Sequence, residues 1–248
     1  MQLTPAIYRN SIYYFIVFAM IVFAGFWVYY VDPIGRRGSQ VLVHVHAITM
    51  TVWCLLLITQ AVLIRSNQRQ FHRLIGRTSV LIVPIIVILQ LVIVPGFIER
   101  QGGLDAAGVT DGGAFALSYI LGNAAVFAIL YLLAIANRRV PAIHARYMIC
   151  TALPILGPAT DRIIFRDNPW IQQYLPTKPG IGGPWESVVA FAIADIVVFS
   201  LAIWDWRSHR RLNVFPIVLL LLLAYQVFNP FSYRVPLWRD FCNWFMGV

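Results

Sequence analysis

Seven long apolar runs, separated by short polar loops, divide the chain. Several of these runs have roughly the 20 residues that a helix needs to cross the hydrocarbon core of a membrane. The pattern therefore predicts an all-α fold, a polytopic membrane protein built as a bundle of seven transmembrane helices in one domain, residues 1–248. The predicted helices cover residues 11–30, 40–64, 78–97, 114–136, 145–164, 187–204 and 214–228.

The composition agrees with a membrane protein. Of 248 residues, 60% are hydrophobic and only 12% are charged, whereas soluble proteins carry about 25% charged residues. The net charge of +9 comes from arginines in short loops, so topology and anionic lipids explain it better than nucleic acid does. The one lysine, Lys178, lies in a loop, which excludes a retinal Schiff base on a helix.

Arginine is distributed unequally between the two sets of loops. By the positive-inside rule, the arginine-rich side faces the cytoplasm. We therefore expect a multi-pass protein of the bacterial inner membrane with its N-terminus inside. The arginine-rich side contains Arg9, Arg65, Arg69, Arg73, Arg77, Arg138, Arg139, Arg146, Arg207, Arg210 and Arg211, with Asp205 as its only acid.

The C-terminal tail, residues 229–248, follows the last apolar run and is rich in aromatic residues. Helical spacing places these aromatics on one face and the polar residues on another, which predicts an amphipathic helix in the outer interface. The apolar face contains Trp238, Phe241, Trp244 and Phe245; the polar face contains Arg239, Asp240 and Asn243.

The second helix has a polar stripe that a helix facing only lipid would not need. His46, Trp53 and Gln60 are spaced by seven residues, so they share one face. His44 is only two residues before His46 and points in nearly the opposite direction. We therefore expect His46 to face the bundle and His44 to lie at the headgroup level.

A second group of polar residues is predicted near the outer half of the membrane. Asp195 lies in the middle of the sixth apolar run, and Asp161 lies near the end of the fifth. Three interpretations remain open for such residues: a helix–helix hydrogen bond, a proton or ion site, or a metal site of zinc or iron formed by His46, Asp161 and Asp195. Gln90 and Asn123 join this layer or lie just below it.

Two histidines occupy matching positions on the inner side. His72, in QFHRLIGR, and His144, in AIHARYMI, each follow a basic turn and open a helix. One interpretation is axial ligation of a single haem b, with Arg73, Arg77 and Arg146 pairing its propionates. The other is that both are ordinary interfacial histidines.

The motifs HVHAITMTVWCLLLITQ, FHRLIGR, HARYM, GPATDR and WDWRSHRR run along most of the chain. In these motifs the chain resembles a widespread, uncharacterised bacterial family of seven-helix integral membrane proteins, a resemblance that implies no activity. It is similar, more weakly, to transmembrane di-haem b cytochromes, which carry one ligand histidine on each of four consecutive helices. That similarity implies His72 and His144 as the inner pair. The helix at 114–136 has no histidine, so at most one haem is implied.

The leading functional hypothesis is an electron-transfer protein with one haem b, in which His46 and Asp195 line an outer quinone or proton site. One alternative is a non-catalytic structural or assembly subunit of a larger membrane complex. Another is a proton-coupled transporter or a metal-dependent membrane hydrolase that uses His46, Asp161 and Asp195. The sequence has no nucleotide-binding loop or nucleophile motif, so it leaves open whether the protein is an enzyme.

Overall fold

A computed structural model describes residues 3–31, 41–175, 177, 185–210 and 212–248. Gln40, Lys178 and Arg211 lie outside this part of the chain. The helices are α1 (Leu3–Val31), α2 (Val41–Arg65), α3 (Arg69–Gly76), α4 (Ser79–Arg100), α5 (Asp111–Ala136), α6 (Pro141–Cys150), α7 (Leu153–Asp161), α8 (Glu186–His209), α9 (Phe215–Phe228) and α10 (Pro236–Met246). A hairpin of two short antiparallel strands, β1 (Leu104–Asp105) and β2 (Gly108–Val109), connects α4 to α5.

Seven segments within the described residues are long and apolar enough to cross a membrane. They are α1, α2, α3 with α4, α5, α6 with α7, α8, and α9 with the turn that follows it. The prediction of an all-α bundle with seven membrane helices is confirmed. The chain is a multi-pass membrane protein, with an arginine-rich side at the α2–α3 turn and a hairpin side at β1 and β2.

The fifth span is not the single helix predicted at 145–164. It is broken between α6 and α7, and a π-helical turn, Arg162–Arg166, follows α7. Pro154 has no N–H to donate to the carbonyl of Cys150, and Pro158 repeats this defect one turn later. This broken segment is also the most deeply buried of the seven spans, so it lies at the centre of the bundle.

The basic turn after α2 contains a short helix. Ser66 and Asn67 reverse the chain, with Asn67 at a left-handed φ of 59°, a conformation that asparagine tolerates. The eight-residue helix α3 follows and meets α4 at Arg77 and Thr78. There the backbone hydrogen bonds change from the i to i−4 pattern to the i to i−3 pattern.

Neighbouring spans pack in a closed sequence around an aromatic centre. α1 packs against α2 and α7, α2 against α4, α4 against α5, and α8 against both α7 and α9. Trp53 of α2 meets Phe127 and Tyr131 of α5 edge to face, with ring centroids 5.4 and 5.9 Å apart. Phe191 of α8 meets Tyr225 of α9 at 5.5 Å. These rings fill the middle of the bundle.

The predicted amphipathic tail helix is present as α10, but it packs against protein. Trp238 donates its indole N–H to the carbonyl of Ala114 at 3.0 Å, and Asn243 accepts from the Val109 amide at 3.0 Å. Cys242 is completely buried between them, whereas Trp244 stays 75% exposed. The helix therefore covers the hairpin side of α4 and α5.

The prediction that residues 229–234 belong to the interfacial tail is wrong. Asn229–Arg234 forms a 3₁₀ turn that continues α9 and packs against α5. Asn229 and Ser232 are fully buried and hydrogen-bond to the Ser118 hydroxyl, at 2.6 and 2.8 Å. Side chains in a purely interfacial segment would be exposed, so this segment belongs to the seventh span.

Candidate functional site

Asp195 lies half-buried in α8, at membrane depth. Its Oδ1 accepts a hydrogen bond of 3.0 Å from Nε2 of Gln226 on α9. Gln226 is itself buried, at 2% exposure. The partner of this carboxyl is therefore a neutral amide. Within the described residues no cation pairs with Asp195, so neither His46 nor Arg162 supplies a counter-charge to it.

Asp161 ends α7 one residue before the π-helical turn. It lies close enough to Tyr225 for its charge to act on the tyrosine hydroxyl. That hydroxyl donates to the Tyr119 carbonyl at 2.8 Å, and the Tyr225 ring packs directly against Gly122. Residues of α5, α7 and α9 therefore meet at this level.

His46 and Asn123 lie at similar depths on α2 and α5. Trp53 fixes the alignment by contacting Phe127 and Tyr131. His46 is seven residues before Trp53, and Asn123 is four before Phe127, which corresponds to about 10 and 6 Å along helices of the same direction. Nδ1 of His46 and Oδ1 of Asn123 are both buried and hydrogen-bond to nothing in the described part of the chain. Such atoms mark a place for water or a polar ligand.

We call Asp161, Asp195, Tyr225, Gln226, His46 and Asn123 the hairpin-side cluster, because all lie in the half of the bundle towards β1 and β2. The predicted metal site of His46, Asp161 and Asp195 is not formed. No three His, Cys, Asp or Glu side chains among the described residues come together as a metal-binding group. Asp195 bonds instead to Gln226 of α9, and the charge of Asp161 acts on Tyr225.

The other polar residues predicted near the outer half of the membrane are His44 and Gln90. His44 is half-buried near the start of α2, and Gln90 is half-buried in α4. Gln90 makes no hydrogen bond to the hairpin-side cluster within the described residues.

The two inner histidines are brought together on the arginine-rich side. They lie within range of each other's charge. Nδ1 of His144 is 2.8 Å from the Ala134 carbonyl, which fixes the proton on Nδ1 and leaves a lone pair on Nε2. Gln60 on α2, oriented so that its amide nitrogen meets acceptors, donates to Nδ1 of His72 and accepts from the Gly76 amide at 3.1 Å. Neutral His72 therefore carries its proton on Nε2.

These tautomers test the predicted haem. An axial histidine binds iron through Nε2 and donates its Nδ1 proton to a neighbouring acceptor. His144 meets this requirement, but the Gln60 donor on Nδ1 of His72 is the opposite arrangement. A bis-histidine haem does not fit the pair as it stands, and haem b remains a prediction.

The three arginines predicted to pair with the haem propionates have different surroundings. Arg146 forms a two-pronged ion pair with Asp205 of α8, through bonds of 2.9 and 2.7 Å, and the two side chains are only 1% and 2% exposed. Its third nitrogen donates to the Ala142 carbonyl at 2.8 Å. Arg73 and Arg77 lie exposed at α3 and its joint with α4. The guanidinium of Arg146 thus ties α6 to α8.

An apolar layer separates the inner histidines from the hairpin-side cluster. Trp53 is completely buried in this layer, and its indole N–H has no partner in the described structure. Below it, Tyr131 shares a hydrogen bond of 2.9 Å with Ser79, whose hydroxyl also lies 2.6 Å from the Gly76 carbonyl. Polar groups therefore extend from His72 up to Trp53. Beyond Trp53, the ring of Phe127 continues the apolar layer.

Sequence reasoning missed Gln226 and Tyr225 as cluster members and Asp205 as a partner of Arg146. Gln226 offered a signal, since it is the one amide in the apolar run LLLLAYQVF. Comparison of the chain with family models, curated proteins and solved structures finds no match. The resemblance to a bacterial seven-helix family therefore stays a prediction.

Proposed function

We propose that this protein carries protons across the bacterial inner membrane and that Asp195 is its proton-binding group. The observation that carries the proposal is the environment of this carboxyl. It lies at membrane depth with a neutral amide as its partner and no paired cation in the described structure. Ionisable groups in membrane spans that lack such compensation are characteristic of proton relays.

The hairpin-side cluster supplies the other groups that a proton site needs. Asp161 and His46 can each take up a proton, and the oxygen of the Tyr225 hydroxyl, whose hydrogen goes to the Tyr119 carbonyl, can accept a hydrogen bond. The unsatisfied atoms of His46 and Asn123 face the same level of the bundle. Ordered water between them and the carboxylates would complete a path from the hairpin side to Asp195.

The inner histidine pair is suited to pass a proton to the arginine-rich side. His72 presents an N–H and His144 presents a lone pair, because Gln60 and the Ala134 carbonyl fix opposite tautomers. The His72 ring can therefore donate a proton and the His144 ring can accept one without rotation of either ring.

The apolar layer around Trp53 argues for a carrier rather than an open channel. Trp53 and Phe127 fill this layer with aromatic rings, and the indole N–H of Trp53 has no hydrogen-bond partner among the described residues. The broken fifth span offers the means to change it, since interrupted helices at the centre of a bundle are typical of transporters that alternate access. Movement of α6 against α7 would expose one cluster at a time.

Proton movement into liposomes tests the proposal. Purified protein is reconstituted with a pH-sensitive dye inside, and a potassium gradient with valinomycin supplies the driving voltage. We expect proton uptake well above that of protein-free liposomes. Asp195→Asn keeps the hydrogen-bonding shape but cannot bind a proton, so we expect its uptake to fall at least tenfold.

The matched control is Asp240→Asn, which removes an exposed acid on α10 that is not part of the cluster. Its uptake should stay within twofold of the parent protein. Uptake no faster than in protein-free liposomes, or an Asp195→Asn variant as active as the parent, would exclude the proposed function.

A further inference from the structure

We propose that α3 is a binding site for anionic phospholipid headgroups on the arginine-rich side of the membrane. The helix has two distinct faces. Arg69, Arg73 and Arg77 follow each other at intervals of four and form one row. Phe71 and Leu74 lie off this row and are 53% and 61% exposed. We call the three arginines and two apolar residues the α3 surface.

The length of the segment places α3 at the membrane surface. The span from Arg69 to Arg100 has 32 residues, which corresponds to about 48 Å of helix, against a hydrocarbon core of about 30 Å. At Arg77 and Thr78 the backbone hydrogen bonds change to the i to i−3 pattern, and no residue of α3 is fully buried. A short amphipathic helix that extends beyond the core, with Ile75 and His72 partly buried against the protein and its arginines exposed, is suited to lie in the interface.

The arginines of the α3 surface are available to a ligand. None of the three has an ion pair or side-chain hydrogen bond with the residues that the structure describes, and α3 contains no acid. Other arginines differ: Arg146 is bound by Asp205 and Arg239 by Asp111. Arginine binds phosphate through two parallel hydrogen bonds, so a row of free guanidiniums is a phosphate-binding surface.

The apolar residues identify the phosphate as that of a lipid. A soluble phosphate compound would leave Phe71 and Leu74 in water, whereas an acyl chain beside the headgroup would cover them. Net negative charge is also required, because the ammonium group of a zwitterionic lipid competes with the arginines for the phosphate. Each arginine close to an anionic surface strengthens binding severalfold. The inference does not depend on proton transport.

Native mass spectrometry of the full-length protein in neutral detergent tests this site. The protein is titrated with phosphatidylglycerol and, separately, with phosphatidylcholine of identical acyl chains. We expect phosphatidylglycerol to bind at least tenfold more tightly. The triple variant Arg69→Gln, Arg73→Gln, Arg77→Gln should lose at least tenfold in affinity for phosphatidylglycerol and little for phosphatidylcholine.

The control triple is Arg138→Gln, Arg139→Gln, Arg207→Gln, which removes three exposed arginines from the same side. It should keep phosphatidylglycerol binding within twofold. An equal loss in both triples would mean a diffuse basic surface and would overturn the site. Equal binding of the two lipids, or full competition by free glycerol phosphate, would overturn it as well. If the first triple fails to fold, the three single variants, each expected to lose about threefold, decide in its place.

Discussion

The buried ion pair between Arg146 and Asp205 is the strongest single connection between spans at the arginine-rich end. Both side chains are almost fully removed from solvent, and two hydrogen bonds join them. Charges at such depth are tolerable only as a pair, because each alone would lose its hydration without compensation. The pair therefore fixes the position of α6 relative to α8.

Removing one partner should be costly. We expect Asp205→Asn to destabilise the folded protein by about 3–5 kcal/mol, since it leaves the guanidinium buried without a counter-charge. The double variant Arg146→Met, Asp205→Leu removes both charges and should recover most of the loss. Thermal unfolding in detergent measures both effects. A single variant as stable as the parent would show that the pair is dispensable.

Cys242 reports on the docking of α10. Burial raises the pKa of this thiol to about 12, and the nearby charge of Arg239 lowers it by less. An exposed thiol ionises near pH 8.5. The undocked form therefore loses its proton first, and docking should weaken as the pH rises from about 8.5 towards 12.

The check is the rate of maleimide labelling in a Cys54→Ala, Cys150→Ala background. We expect slow labelling at pH 7 and no plateau near pH 9. Asn243→Ala, which removes the acceptor for the Val109 amide, should label at least tenfold faster. A parent protein that labels like a free thiol, with a plateau near pH 9, would mean that α10 is not docked.

The side chains that pair with Arg146 and Asp195 lie on other helices, and the sequence did not predict these pairings. The sequence places Arg146 and Asp205 on the same side and marks Asp195 as exceptional, but the partner depends on how each helix is rotated. Gln226 lies on α9, and helices of a membrane bundle show little polar asymmetry that would indicate their rotation. The hydrogen bond between Gln226 and Asp195 was therefore not predictable.

At the scale of elements, the apolar runs predict the spans well and their interruptions poorly. The predicted boundaries of the second helix, 40–64, nearly coincide with α2 at Val41–Arg65. The fifth span differs because proline is tolerated inside membrane helices when neighbours satisfy the freed carbonyls. Pro84 lies within an unbroken α4, whereas Pro154 marks a break. Sequence alone does not distinguish the two.

Straightening the fifth span should impair transport. Pro154→Ala restores an N–H that can bond to the Cys150 carbonyl and so allows α6 and α7 to join. We expect proton uptake to fall at least fivefold with no decrease in the melting temperature. Pro84→Ala in the lipid-exposed face of α4 is the control and should keep normal uptake. Normal uptake in Pro154→Ala would mean that the break plays no part.

At the scale of the whole molecule, polar groups form two layers separated by an aromatic centre. This two-layer arrangement was predictable from the depth of His46, Asp161 and Asp195 on one side and of His72 and His144 on the other. The chemistry within each layer was not. It depends on hydrogen bonds such as that of Gln60 to His72, which decides which ring nitrogen carries a proton.

The inner layer leads to a spectroscopic prediction. Because Gln60 donates to Nδ1 of His72, we expect the purified, reduced protein to show no spectrum of a low-spin haem held by two histidines. Gln60→Leu removes this donor and serves as the comparison. A low-spin haem spectrum that disappears in both His72→Ala and His144→Ala would restore the haem interpretation and contradict the tautomer assigned to His72.

The central claim is that Asp195 binds and releases a proton inside the membrane. Infrared difference spectroscopy across a pH titration measures this directly through the carbonyl stretch of a protonated carboxylic acid. We expect one such band from Asp195. It should be absent in Asp195→Asn and shifted in Gln226→Ala, because Gln226 bonds to that carboxyl. A spectrum whose carboxyl bands are unchanged by Asp195→Asn would contradict the account.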